Sequence, residues 1–223
     1  MEDEKKRKHI IFLSSSYVNL AKLFATINRD YDIFLILDRK FPQEIENSDL
    51  DNFYIFNFDK NKLYEKNKNS YFQTLGIFLL EYEPDIIITS NFNKILPESF
   101  IEFIKFTNNK TKIVNIQNSD LRILDENNNS RFMEMNGHIK QFIDEGMIIS
   151  TIFLIENEQD NKYLGKILGY SYETTFKELK KKQLIKDKIE ILNLRICNSI
   201  LNYHFRTKIL KLLNKIIKEL LNK

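Results

Sequence analysis

The sequence predicts a mostly parallel α/β sheet covered by helices on both faces, and three observations carry that expectation. Runs such as Ile10-Ile11-Phe12-Leu13 and Ile86-Ile87-Ile88 are apolar without alternation, as suits strands buried on both faces. Helical patterns separate several of these runs, and strand–helix alternation favours parallel pairing through crossovers. The chain, with 223 residues, 43% hydrophobic and 29% charged, is long enough to bury a substantial core and has a globular composition.

Strands are expected over His9–Leu13, Ile33–Leu37, Phe53–Phe58, Asp85–Thr89, Lys112–Ile116 and Ser150–Ile155. Val18–Ile27 places Leu20, Leu23, Phe24 and Ile27 on one helical face, and a long helix around Tyr64–Tyr82 carries Leu75, Phe78, Leu79 and Tyr82. Pro84 disfavours helix in the residue before it, so the Asp85 strand starts cleanly. Pro97 opens the next helix, where its missing N–H would be an orphan anyway. That helix, Pro97–Phe106, buries Phe100, Ile101 and Ile104. Asp125–Ser130, DENNNS, is a polar loop.

No repeat and no long linker divides the chain, so a single domain over 1–223 is expected, with a core over 8–203 and a C-terminal helix over 206–223. From about Glu173 the pattern is helical to the end. Ile209, Leu210, Leu212, Leu213, Ile216, Ile217, Leu220 and Leu221 form a wide apolar stripe, opposed by Lys208, Lys211, Lys215 and Lys218. Such a helix docks on the domain or on a second copy as a homodimer; the other reading is a basic amphipathic helix lying on an anionic membrane.

A net charge of +3 gives no argument for nucleic acid. No run approaches the ~18 apolar residues of a membrane span, and the charged start MEDEKKRKH leads straight into a strand, unlike a secretory signal. Cys197 is the one cysteine, which excludes an internal disulfide and a cysteine zinc site; it reads as a small buried residue on a helix. His9, before a strand, and His204, at a helix end, fit no metal-ligand spacing, so no metal is expected. A cytoplasmic location fits these features. Phosphate-loop, nucleophile-elbow and dinucleotide glycine motifs do not occur.

The most informative stretch is Pro84–Leu121, PDIIITSNFNKILPESFIEFIKFTNNKTKIVNIQNSDL. It reads as buried strand, polar turn, Pro-started helix and second strand, with Asn115-Ile116-Gln117 at the carboxyl end, where open parallel sheets bind ligands. The segment resembles the core of the folate-dependent formyltransferases, most closely the glycinamide ribonucleotide formyltransferases, which write strand-G-x-M-R-I-L-helix-strand-N-I-H-P-S-L-L-P here. Thr151–Asp160 parallels that family's strand into D-E-L-D-G-G, and Leu13–Leu20 lies over its I-S-G-N-G-S-N-L. The ordered matches run from about Lys8 to Tyr203.

The resemblance implies a Rossmann-like sheet of the formyltransferase type with an added C-terminal helix. It also implies 10-formyltetrahydrofolate as formyl donor, a small-molecule amine acceptor, and chemistry of the kind used in purine biosynthesis. Asn115 would donate to the oxyanion, Asp160 would position a water and relay a proton, and Gln117 stands where the family has His. The folate slot would be lined by Ile95 and Leu96, with Phe100 and Ile101 behind them, Asn93-Lys94 in place of M-R, and Asp160 contributing from its loop. Ser14, Ser16, Asn19 and His138 would face the acceptor.

The chain departs from the family pattern at Gln117, at Ser15 and Tyr17, which replace two phosphate-approaching glycines, and at Asn161-Lys162, which replace the paired glycines after the aspartate. Two further readings therefore stand beside formyl transfer: a formyltransferase-like binding protein without catalysis, and an enzyme of the same fold acting on a nucleotide-linked amino sugar. The apolar slot residues also read as ordinary helix–sheet core, and the serines as a cap on the first helix.

Overall fold

A computed structural model describes residues 7–15, 19–40, 50–132, 137–156, 165–175 and 203–222. The strands are β1 (Lys8–Ser14), β2 (Tyr31–Leu37), β3 (Phe53–Asn57), β4 (Ile86–Ser90), β5 (Lys112–Gln117), β6 (Met147–Ile148), β7 (Thr151–Leu154), β8 (Ile167–Tyr170) and β9 (Thr174–Thr175). The helices are α1 (Asn19–Ile27), α2 (Asn61–Lys66), α3 (Lys68–Leu80), α4 (Glu98–Thr107), α5 (Gly137–Glu145) and α6 (Leu210–Leu221). Seven strands form one sheet in the order β3-β2-β1-β4-β5-β7-β8, and β6 pairs with β9. The chain divides into two compact units, one of Met1–Asn115 with Leu154–Lys166 and one of Ile116–Phe153 with Ile167–Lys223.

In the first unit β1 runs parallel to β2 and β4, and β2 parallel to β3, with Ser14 opposite Leu37 and Leu13 opposite Thr89. That register brings the carboxyl ends of β1, β2 and β4 level. Ile10, Ile11, Leu13, Ile33, Leu35, Ile86, Ile87 and Ile88 are all buried, as their unbroken apolar runs require. The turn from α1 into β2 is closed by Asn52, whose amide donates to the carbonyls of Asn28 and Tyr31 at 3.0 Å. The chain leaves β4 through Asn91 at φ 52°, a left-handed conformation that asparagine tolerates better than most residues.

His9 lies inside β1, as the expected strand His9–Leu13 has it. Three expectations are corrected. The long helix of 64–82 is two helices, because Asn67 is extended (φ −155°) and its side chain accepts the Ser70 N–H, making it an N-cap. Pro97 is the N-cap of α4, which begins at Glu98. Thr174–Thr175, expected to be helical, is strand β9. The short strands β6 and β8 were not anticipated. Cys197 lies outside the described residues.

In the second unit β8 runs antiparallel to β7. Asp125 accepts the N–H groups of Asn127 and Asn129 at 2.9 Å, so the DENNNS run is a side-chain-closed turn. A π-helical turn, Phe205–Ile209, leads into α6, whose Leu213, Ile216 and Ile217 are buried. Leu220 is half-buried. A Cβ on Gly169 would meet Leu212 at 3.0 Å, so the glycine admits close approach of α6 to β8. Among the described residues no helix is long and apolar enough to cross a membrane.

Candidate functional site

Within the first unit, the ends of β1, β2, β4 and β5 carry the candidate polar groups. Asn115, near the end of β5, accepts the Thr89 hydroxyl on its Oδ1 at 2.6 Å. An amide has distinct accepting and donating ends, so this bond leaves the Asn115 NH2 as the end available to a ligand. Ser90, next to Thr89, is buried, and its hydroxyl makes no hydrogen bond among the described residues.

Ser14 and Ser15 end β1 and are both buried. Ser15 is a junction: its N–H donates to Asn91 O at 3.0 Å, its hydroxyl donates to Asp38 Oδ2 at 2.9 Å, and that hydroxyl accepts Asn93 N–H at 2.8 Å. Asp38 is ion-paired with Lys94. The side chain of Lys94 is therefore turned into the unit. Asn93 is exposed, Ile95 is half-exposed, and Leu96, Phe100 and Ile101 are buried. Phe100 packs on Phe72 with ring centroids 5.8 Å apart. Phe100 and Ile101 are thus core residues of α4, while Ile95 is an exposed apolar residue of the preceding loop.

Within the second unit, Gln117 Nε2 donates to the Ser119 hydroxyl at 3.2 Å, and that hydroxyl binds Phe132 O at 2.5 Å. Asp120 is gripped by Arg122 through two hydrogen bonds of 2.8 and 2.7 Å, and the Arg122 guanidinium lies 4.1 Å over the Tyr170 ring. Asp120 N–H donates to Gln141 Oε1 at 2.9 Å, one helical turn from His138. His138 is half-buried, and desolvation pushes its imidazole below its ordinary pKa, which favours the neutral ring.

Ser16 and Asp160 lie outside the described residues, as do Tyr17, Asn161 and Lys162, and the side chain of Asn19 is likewise not described. Asn93, Ile95, Leu96, Ser14 and Asn115 fall in the first unit, and Gln117 and His138 in the second. Sequence reasoning missed Asp38, Asn61 and Thr89. For Asp38 a signal existed, since a charge that directly follows the apolar run Ile33–Leu37 falls at a strand's carboxyl end. No group of three or more potential metal ligands occurs among the described residues.

Strand order, parallel registers and the added C-terminal helix define a Rossmann-like fold of the formyltransferase type. No protein family and no curated protein matches the sequence, whereas solved structures match the fold. Glycinamide ribonucleotide transformylase 1 from Symbiobacterium toebii is similar at a TM-score of 0.58 and 12% identity, over 92% of this chain and 88% of that one. Formyltetrahydrofolate deformylase from Pseudomonas syringae pv. tomato is similar at 0.56 and 14%, over 94% of this chain and 61% of that one. Phosphoribosylglycinamide formyltransferase from Campylobacter jejuni is similar at 0.52 and 14%, over 88% and 95%. Identities this low carry the fold and leave the activity to be argued from the site.

Proposed function

We propose that the protein transfers a formyl group from 10-formyltetrahydrofolate to the amine of a small-molecule acceptor. The observation that carries this reading is the Thr89–Asn115 hydrogen bond, which presents an amide NH2 at the carboxyl end of a buried strand. In the reaction the acceptor nitrogen attacks the formyl carbon, forming a C–N bond and charging the carbonyl oxygen. A donor placed for that oxyanion stabilises it, and this is the role of Asn115. The bond to the folate nitrogen then breaks, and the proton leaving the acceptor nitrogen goes to the folate nitrogen. Asp160 is assigned the water-mediated relay, on its match to the family motif alone.

The pterin would lie against Ile95 and Leu96, over Phe100 and Ile101, with Asn93 at the rim. The exposure of Ile95 beside buried Leu96 supports an apolar wall, and the Ser90 hydroxyl, without a hydrogen bond among the described residues, supports a polar group nearby. Ser14, Ser16, Asn19 and His138 are assigned to the acceptor. Gln117 would add an amide donor, but an amide does not titrate near neutral pH. Without a general acid–base at that position the rate falls by ~10²–10⁴-fold, so this reading describes a slow enzyme.

One observation favours a second reading, a binding protein without turnover: Gln117 gives its Nε2 to Ser119 in its own loop. Gln117→His separates the two. In a slow formyltransferase it raises the rate of formyl transfer, and the gain disappears as the imidazole protonates around its unperturbed pKa of ~6.5. Absence of turnover in wild type and Gln117→His alike, over a panel of amines, overturns the enzyme reading.

A further inference from the structure

The carboxyl ends of β1, β2 and β4 enclose a charged cluster that the proposed reaction does not use. Asp38 is 1% exposed and the Lys94 side chain 9%. The Lys94 ammonium contacts Asp38 Oδ2, donates to Asn61 Oδ1 at 2.9 Å, and lies 5.1, 5.2 and 5.7 Å from the ring centroids of Tyr64, Tyr71 and Phe92. A carboxylate, an amide oxygen and aromatic faces are the groups that together hold a desolvated ammonium.

Each wall is fixed by another contact. Ser15 donates to Asp38 at 2.9 Å, Asn61 donates its Nδ2 to Asp38 O at 2.8 Å, and Tyr64 meets Tyr71 edge-on with centroids 5.2 Å apart. Burial and the Asp38 carboxylate push the Tyr71 hydroxyl well up, keeping it neutral. Arg39 Nε stands 3.9 Å from the other Asp38 oxygen on a half-exposed side chain, and the Lys68 ammonium, 5.6 Å from the Tyr64 ring centroid, belongs to an exposed residue, so among the described residues Lys94 is the buried cation of the chamber.

We propose that this chamber is a primary-ammonium receptor with Lys94 as its tethered occupant, which makes Lys94 the positioning residue of the loop from Asn91 to Leu96. The loop is tied to β1 by Ser15 N–H to Asn91 O and by Asn93 N–H to Ser15 Oγ. The second of these depends on a hydroxyl that Asp38 orients. Without the ammonium, Asp38 is left as a buried carboxylate that keeps the Ser15 hydroxyl but, among the described residues, only the half-exposed Arg39 as a cation, which destabilises its surroundings strongly. That the loop presents Ile95 and Leu96 to a folate rests on the formyl-transfer reading; the receptor itself does not.

The test uses the full chain with Lys94→Ala and follows amide hydrogen exchange of residues 91–96. Exchange should accelerate by about tenfold or more, as expected for local opening after loss of a buried ion pair. n-Propylammonium should reverse this saturably, propan-1-ol should not, and Asp38→Asn in the same background should abolish the rescue. Unchanged exchange, or equal rescue by propan-1-ol, overturns the proposal. Lys94→Met keeps the length of the aliphatic stem without the ammonium and guards against a variant that fails to fold: wild-type exchange in that variant also overturns it. Titration with a reduced folate separates the two claims. If wild type binds none while propylammonium rescues the loop, formyl transfer falls and the receptor stands. If wild type binds folate and Lys94→Met binds it as tightly, the positioning role falls.

Discussion

Thr89 on β4 donates its hydroxyl to Asn115 Oδ1 on the neighbouring strand β5, 2.6 Å away. On the formyl-transfer reading the bond does more than join two strands, because it would decide which end of the Asn115 amide meets the substrate. An oxyanion needs the NH2 end, and a flipped amide would present a repelling oxygen.

Thr89→Val keeps the branched shape and removes the donor. We expect a stability loss of about 1 kcal/mol, the net worth of one hydrogen bond, and a larger proportional effect on formyl transfer. Thr89→Ser should retain most of the rate. Asn115→Ala should lower the rate by ~10²–10³-fold, as for other oxyanion donors. Comparing rates with denaturant midpoints checks this; a Thr89→Val enzyme with an unchanged rate would remove the orienting role.

His138 links α5 to pH. Burial lowers its imidazole pKa from 6.5, so the folded chain binds that proton less readily than the unfolded chain. The stability it permits is fully present above the unfolded value. It declines as pH falls from 6.5 toward the lower folded value and levels off beneath that. His138→Gln should flatten this acid-side decline in the urea midpoint. The same slope with and without the imidazole would show that other groups set it.

The buried strands were legible because burial on both faces leaves an unbroken apolar run, and Asn115 could be placed because it ends one. Strand β8, ILGY, offers neither a run nor an alternation: it is four residues, half-buried, with a glycine seated under α6. The break at Asn67 was hidden because apolar residues continue on both sides of it, from Leu63-Tyr64 to Tyr71-Phe72. Asp38 could have been flagged by position, but Lys94 lies 56 residues further on and Ser15 lies 23 before it. No local spacing rule connects groups that meet only through strand register.

His204 organises the second unit. It is buried, with Ser150 Oγ at 3.0 Å and Ser171 Oγ at 3.2 Å from Nε2, and Thr174 Oγ1 at 2.7 Å from Nδ1. His204→Ala strips these hydroxyls of a shared partner and should lower stability by about 3 kcal/mol. Ser150→Ala removes one contact and should cost about 1 kcal/mol. Chemical denaturation measures both, and equal losses would contradict a central role for the ring.

Helix α6 should respond by face. Leu213→Ala and Ile217→Ala, at fully buried positions, should each cost about 2–5 kcal/mol. Lys215, with 74% of its side chain exposed, should tolerate alanine within about 0.5 kcal/mol. Removing 206–223 should cause aggregation or a change of oligomeric state, read by light scattering, because it uncovers the apolar surface that α6 protects. A soluble, equally stable truncation would contradict this.

The most direct measurement is calorimetric titration of the purified protein with a reduced folate, in wild type and in a Leu96→Asp variant that places a charge in the apolar wall. The formyl-transfer account expects saturable binding by wild type, with affinity weakened by at least about tenfold in the variant, since an unpaired charge in an apolar site is costly. No saturable binding by wild type would contradict it.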